Sequence, residues 1–107
     1  MEERKRIESD TKEYVDVIAA HYAEDGRVVP LRFRRADGTA IVVSKVMDAR
    51  KAASLRAGGQ GMRYECRAAN AEDGYEFRLY LFHDGNYWFI EIDKGRRIVC
   101  ADGTIRE

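Results

Sequence analysis

Residues Tyr75 to Ile92 read YEFRLYLFHDGNYWFIEI, and this stretch decides the fold. Apolar residues alternate along both halves, and an Asp-Gly pair stands at the centre. Alternation with a period of two is typical of strands with one buried face, and Asp-Gly between two such runs is a strong hairpin signal. The stretch therefore predicts two antiparallel strands, Tyr75–His83 and Asn86–Ile92, joined at Asp84-Gly85.

A two-residue turn at Asp84-Gly85 predicts the register of this hairpin. The pairs on the core side are Leu81 with Trp88, Leu79 with Ile90, and Phe77 with Ile92. The pairs on the outer side are Phe82 with Tyr87, Tyr80 with Phe89, and Arg78 with Glu91. Four aromatic residues would then be exposed, namely Tyr80, Phe82, Tyr87 and Phe89, as a patch about as large as monomers usually show. We expect a second copy of the protein to cover them.

Asp-Gly occurs five times in the chain, with short apolar runs between the pairs. Turn signals at this spacing mark antiparallel sandwiches or barrels. Strands are predicted near Tyr14–Tyr22, Arg27–Arg35, Thr39–Met47, Met62–Ala68, Tyr75–His83 and Asn86–Ile92, with a short seventh near Arg97–Cys100. A three-residue loop, Ala36-Asp37-Gly38, would place Phe33 opposite Ile41 and Leu31 opposite Val43, all four inward, while Arg32 and Arg34 point outward.

A helix is predicted at Ala49–Ala57, because Asp48 is a good N-cap and Gly58-Gly59 a good stop. The order β-β-β-α-β-β-β predicts a mainly β fold, a small partly open barrel with an OB-like strand order. A plain curved meander is the second interpretation. We expect a charged, helical or frayed N-terminal segment at residues 1–13, the barrel at 14–93, and a C-terminal extension or short extra strand at 94–107.

The chain of 107 residues has 19 basic and 19 acidic residues, so net charge indicates neither a DNA-coating nor a membrane-surface protein. The charge is uneven, however, since residues 27–67 hold ten basic and three acidic side chains. Arginine suits phosphate contacts and base stacking. The candidate nucleic-acid-binding residues are Arg32, Arg34, Arg50, Lys51, Arg63 and Arg67. The alternative is that these arginines only solvate the outer face of the sheet.

The sequence shows no catalytic or metal-binding constellation. Its only soft metal ligands are His21, His83, Cys66 and Cys100, none of them near another in sequence, whereas zinc ligands usually come in close pairs. Cys66 is in phase with apolar neighbours and is expected in the core. We therefore predict a non-enzyme without cofactor. The charged N-terminus and the absence of a long apolar run predict a cytoplasmic protein with no membrane segment.

From Tyr14 to Ile92 the chain resembles a family of short, uncharacterised, β-rich bacterial proteins common in Firmicute-type genomes. The family has no established function, so the resemblance implies no catalytic or binding residue. The charged start and the tail after Asp93 would be additions to the family core. The resemblance is carried by Asp25-Gly26-Arg27, Pro30-Leu31, Asp37-Gly38, Val46-Met47-Asp48-Ala49-Arg50, Ala52-Ala53-Ser54, Ala57-Gly58-Gly59, Gly61, Arg63-Tyr64 and Trp88-Phe89-Ile90-Glu91.

Two function classes follow from these observations. The first is a protein–protein interaction or assembly module that forms a homodimer through the aromatic side of the hairpin. The alternative is a module that binds RNA or single-stranded DNA through the arginine-rich side of the barrel.

Overall fold

The computed structural model describes residues 11–53 and 60–106, in which every regular element is a β-strand. The strands are β1 (Lys12–His21), β2 (Val28–Arg34), β3 (Ala40–Ala53), β4 (Gln60–Asn70), β5 (Glu76–Asp84), β6 (Tyr87–Glu91), β7 (Ile98–Val99) and β8 (Ile105–Arg106). β1 to β6 form a closed antiparallel barrel, and β7 and β8 form a separate two-stranded sheet. The predicted mainly β architecture with a small barrel is therefore confirmed.

The predicted helix at Ala49–Ala57 is wrong for the part of it that the structure describes, which is a β-strand. Ala49–Ala53 is the end of β3 and pairs residue by residue with Gln60–Tyr64 of β4, while residues 54–59 lie outside the described residues. Helix propensity differs among ordinary residues by less than about 1 kcal/mol each, and tertiary pairing overrides it. Within the barrel each strand pairs with the next one in the chain, and β6 returns to β1. This order is a closed meander, in place of the partly open OB-like order expected first.

The barrel interior is filled by inward-facing side chains from all six of its strands. The predicted core residues Leu79, Leu81 and Ile90 are fully buried, and so is Cys66, whereas Trp88 is half-buried. Two residues of the C-terminal segment, Ile98 and Cys100, join the same core. The buried cluster comprises Val15, Phe33, Ile41, Tyr64, Cys66, Ala68, Leu79, Leu81, Ile90, Ile92, Ile98 and Cys100.

The hairpin of β5 and β6 has a register two residues away from the predicted one. Leu81 lies opposite Ile90 and Phe82 opposite Phe89, so the turn residues are Gly85 and Asn86. Gly85 has a φ of 63°, and glycine at the first of two turn positions favours a type II′ hairpin. Because side chains alternate with a period of two, the shift leaves every residue on its predicted face.

The hairpin of β2 and β3 has the predicted three-residue loop. Phe33 lies opposite Ile41, and both are buried. Leu31, however, is exposed, which contradicts its predicted inward position. The reason is a β-bulge, since Ile18 pairs with Arg32 but the next residue of β1 pairs with Pro30. The bulge leaves Leu31 without a partner, and Pro30 takes the inward position instead.

One end of the barrel is closed by a buried cluster of charged side chains. The guanidinium of Arg35 donates two hydrogen bonds to the carboxylate of Glu13, from Nε at 2.9 Å and from Nη2 at 3.1 Å. The carboxylate also accepts a bond of 3.2 Å from Nη2 of Arg96. Glu13 is only 3% exposed and Arg35 9%. Since Arg35 Nη2 also donates to the carbonyl of Arg96 at 2.6 Å, the cluster joins three separate segments.

We expect Glu13→Gln to lower the free energy of unfolding by about 3–5 kcal/mol, because removing one partner of a buried ion pair leaves the other charge uncompensated. Asp16→Asn is the matched control, since it breaks an exposed ion pair of 2.8 Å with Arg34 and should cost about 1 kcal/mol or less. Urea unfolding measures both. Equal effects of the two substitutions would show that the buried cluster does not hold the barrel end.

Candidate functional site

Three basic residues lie directly opposite one another on the outer face of neighbouring strands. Lys45 of β3 pairs with Arg67 of β4, and Arg67 pairs with Arg78 of β5. All three side chains are exposed. Like charges placed directly opposite destabilise a sheet, so this cationic row (Lys45, Arg67 and Arg78) opposes folding instead of supporting it. Glu65 lies 3.5 Å from Arg78, whereas no carboxylate in residues 11–53 and 60–106 forms an ion pair with Lys45 or Arg67.

A groove of about 670 Å³ runs between the outer face of β4 and β5 and the hairpin of β7 and β8. Arg67 and Arg78 form part of one wall, and Arg106 projects from the other. The hairpin is held in place where Cys100 forms a β-bridge with Leu79, and where the Ala101 amide donates to the carbonyl of Arg78 at 2.9 Å. Three guanidinium groups therefore line one groove.

Two aromatic rings share this groove with the guanidinium groups. The guanidinium carbon of Arg106 lies 4.1 Å from the ring centroid of Tyr75 and 4.6 Å from that of Phe77. Cation–π contacts of this length are attractive, and arginine is the commonest cation in them. Tyr75 nevertheless remains 60% exposed. The groove thus presents positive charge and aromatic surface together.

Two carboxylates moderate the charge of the groove. Asp102 Oδ1 accepts hydrogen bonds from the side chain and the backbone amide of Thr104, at 2.6 Å and 3.0 Å. These bonds, with a smaller contribution from the positive charge of Arg78, hold the pKa of Asp102 below its ordinary value. Glu76 also lines the groove and is exposed. Three guanidinium groups and two carboxylates give the groove a modest excess of positive charge. The site can therefore hold anions.

The structure brings only one of the six predicted nucleic-acid-binding residues, Arg67, into this groove. Arg32 and Arg34 lie on β2, with Arg34 paired to Asp16, and Lys51 lies exposed near the end of β3. Arg50 and Arg63 are opposite each other on β3 and β4, but Arg50 is tied to Asp48 at 2.6 Å and Arg63 lies over the ring of Tyr80 at 4.6 Å.

Sequence reasoning missed three basic residues of the site, namely Lys45, Arg78 and Arg106. A count of charge along the chain could not find Arg78 or Arg106, because both lie in its acidic last third. The alternation around Leu79 does place Arg78 on the outer face. Only the register between β4 and β5 shows that Arg78 lies opposite Arg67.

The predicted aromatic surface is on the outside of the barrel, but the chain itself covers most of it. Phe82 and Phe89 stack in parallel with 4.8 Å between ring centroids. Tyr14 of β1 packs against Phe89 at 5.6 Å, and the ammonium of Lys12 lies 4.7 Å from the centroid of that ring. Phe89 is consequently only 7% exposed, and Tyr87, at 37%, is the most exposed of the four predicted residues. The expectation of four exposed rings is wrong.

A second stack of rings lies at the end of the barrel opposite the charged cluster. His83 and Trp88 are parallel with 4.0 Å between ring centroids, and Tyr64 lies 5.7 Å from Trp88. Burial lowers the pKa of His83, and the charge of nearby His21 lowers it further. The stack is thus packed by its own rings.

The structure does not bring Cys66 and His83 together, so they do not form a nucleophile and base. Cys66 lies opposite Leu79, four residues along β5 from His83, which is a separation of about 13 Å along a strand. Burial raises the pKa of the Cys66 thiol to about 12, so the thiolate form is disfavoured. No group of three or more potential metal ligands occurs in the described part of the chain.

No family model matches the chain, and neither a curated protein nor a solved structure matches it. The resemblance to a Firmicute family therefore stays a prediction. Among residues 11–53 and 60–106, no helix is long and apolar enough to span a membrane.

We expect the fluorescence of Trp88, the only tryptophan, to change with pH at a midpoint below 6.5, because the stacked His83 resists protonation in the folded state. Unfolded His83 has an ordinary pKa and binds the proton first, so stability should fall as pH drops through 6.5. His21→Gln should raise the midpoint by removing the nearby charge. His83→Gln should abolish the transition, and a transition that survives this change would contradict the assignment.

Proposed function

We propose that the protein is a small non-enzymatic barrel that binds RNA or single-stranded DNA through the cationic row and the groove beside it. The observation that carries this proposal is the direct alignment of Lys45, Arg67 and Arg78 across three strands. Such an alignment costs folding energy, and a phosphodiester backbone is a ligand that would offset this cost. Guanidinium groups bind phosphate oxygens through charge-assisted, often bidentate hydrogen bonds.

The proposed site is restricted to this region of the outer face. Along β3 in the direction of the chain, the next outward-facing pair is Asp48 with Glu65 of β4. The carboxylates of this pair repel phosphate. Beyond that pair, Arg50 is held by an ion pair of 2.6 Å with Asp48, which is closer than the 3.5 Å contact between Arg78 and Glu65. Arg32, on β2, lies outside the groove and has no ion pair among the described side chains, so it serves as a matched control.

We expect a labelled single-stranded oligonucleotide to bind with an affinity that falls steeply with salt, since each phosphate contact contributes about −0.7 to the slope of log K against log salt. Arg67→Gln and Arg78→Gln should each weaken binding and reduce that slope by about one contact. Arg32→Gln removes the same charge outside the groove and should leave the slope unchanged. Fluorescence anisotropy provides both numbers. Absence of binding at low salt, or an equal loss in the control, would reject the proposal.

The second candidate is self-association through the aromatic side of β5 and β6. One observation favours it, which is that Tyr87 stays exposed at the edge of a cluster that already includes Tyr14, Phe82 and Phe89. Tyrosine is enriched at protein interfaces, where its ring is buried and its hydroxyl stays hydrated.

For this candidate we expect light scattering to give a dimer for the wild type and a folded monomer for Tyr87→Ser. Tyr87 is chosen because its exposed ring contributes little to the core, whereas Phe89 is buried. Tyr22→Ser is the control, since Tyr22 is similarly exposed but its ring lies against the guanidinium of Arg27 instead of the aromatic cluster. A wild type that is monomeric at all protein concentrations excludes this candidate.

A further inference from the structure

The exposure of Tyr75 is not explained by the needs of the barrel. Its ring is 60% exposed, faces the groove and contacts the guanidinium of Arg106. Its side chain does not belong to the buried cluster or to the residues packed against it. This large aromatic side chain contributes little to the core and shares its groove with three guanidinium groups, so its ring is available to a ligand.

The backbone of Tyr75 is held on both sides. Its amide donates to Oδ1 of Asp73 at 2.9 Å, and its carbonyl accepts from the amide of Asn70 at 3.1 Å. These two bonds fix the position from which the ring projects. Arg106 then contacts the ring at 4.1 Å, so the ring has a defined orientation in the groove.

We infer that Tyr75 is a nucleobase-stacking residue, and that the groove therefore takes a single strand in preference to a duplex. This inference rests on the proposed nucleic-acid-binding function and deepens it. Sites for single strands combine a positive groove that follows the backbone with aromatic rings on which bases stack. In a duplex the faces of the bases are already stacked on one another and cannot reach a ring in a groove.

Different residues of the site contact different parts of a bound nucleotide. Arg67 and Arg78 lie on the β-sheet wall and meet the phosphates, while Tyr75 offers its ring to a base. Arg106 lies against the same ring, and its planar guanidinium stacks on bases as well as on tyrosine. Glu76, adjacent to Tyr75 in sequence, repels the phosphates and limits the affinity.

The chain contains its own control for the stacking residue. Tyr22 also lies beneath a guanidinium, that of Arg27 at 4.5 Å, and it adjoins the loop Ala23-Glu24-Asp25-Gly26, whose sequence repeats as Ala71-Glu72-Asp73-Gly74 before Tyr75. Tyr22 does not line the groove. If a tyrosine next to an arginine were sufficient, the two residues would behave alike.

The test compares three probes with the full-length protein at one salt concentration: a labelled single-stranded oligothymidylate, the same strand in a duplex, and inorganic polyphosphate. We expect the single strand to bind more tightly than the duplex. Tyr75→Leu should weaken single-strand binding about tenfold, with an unchanged salt slope because no charge is lost. Tyr75→Phe and Tyr22→Leu should bind like the wild type, and Tyr75→Leu should bind polyphosphate like the wild type.

Glu76→Gln supplies an independent readout, since it should tighten the binding of both the single strand and polyphosphate. Equal binding of single strand and duplex, or no loss in Tyr75→Leu, overturns the stacking inference but leaves the proposed function standing if Arg67→Gln still reduces the salt slope. Absence of binding to every probe overturns both.

Discussion

The closure of the barrel depends on the buried contact of Glu13 with Arg35 and Arg96. β1 and β6 share only four residue pairs, from Lys12 to Val15 of β1, and Glu13 lies within this short seam. Its carboxylate also accepts a hydrogen bond of 3.3 Å from the amide of Ala36. The cluster thus joins the seam to the loop between β2 and β3, and to the segment that follows β6. The cluster also compensates for the backbone strain at Arg96. In the described part of the chain this is the only non-glycine residue with a positive φ, 62°, and that conformation is costly unless the surroundings enforce it.

The same cluster positions the wall of the candidate site. Arg96 belongs to the turn after β6, in which Asp93 accepts hydrogen bonds from the backbone and side chain of Arg97. That turn leads directly to Ile98, which is buried in the core. From there the chain forms the hairpin of β7 and β8 and carries Arg106 over Tyr75. The ion cluster at the barrel end and the groove on its outer face are therefore linked through one short segment.

The turns follow local rules closely enough to be predicted from sequence. All five Asp-Gly glycines have positive φ values, which glycine adopts without steric cost. In the two loops of sequence Ala-Asp-Gly-Thr, the aspartate accepts a hydrogen bond from the amide two residues later, at 2.9 Å for Asp37 and 3.0 Å for Asp102. Hydrogen bonds from the side chain of that threonine and, next in size, from its backbone amide hold the pKa of both aspartates below the ordinary value. Such bonds span two residues and need no distant partner, so the sequence suffices to predict them.

The sequence by itself determined near which Asp-Gly pairs the chain turns, the faces of β5 and β6, and the burial of Leu79, Leu81 and Cys66, because glycine conformation and a period of two act within a few residues. Only the tertiary structure decided what depends on pairing between strands. The register of β5 and β6, the strand conformation of Ala49–Ala53 and the outward turn of Leu31 each follow from a partner strand that local sequence does not specify. The candidate site belongs to the same class. Arg67, Arg78 and Arg106 are far apart in the chain, and they share a groove because strand pairing and a buried ion cluster bring their segments together.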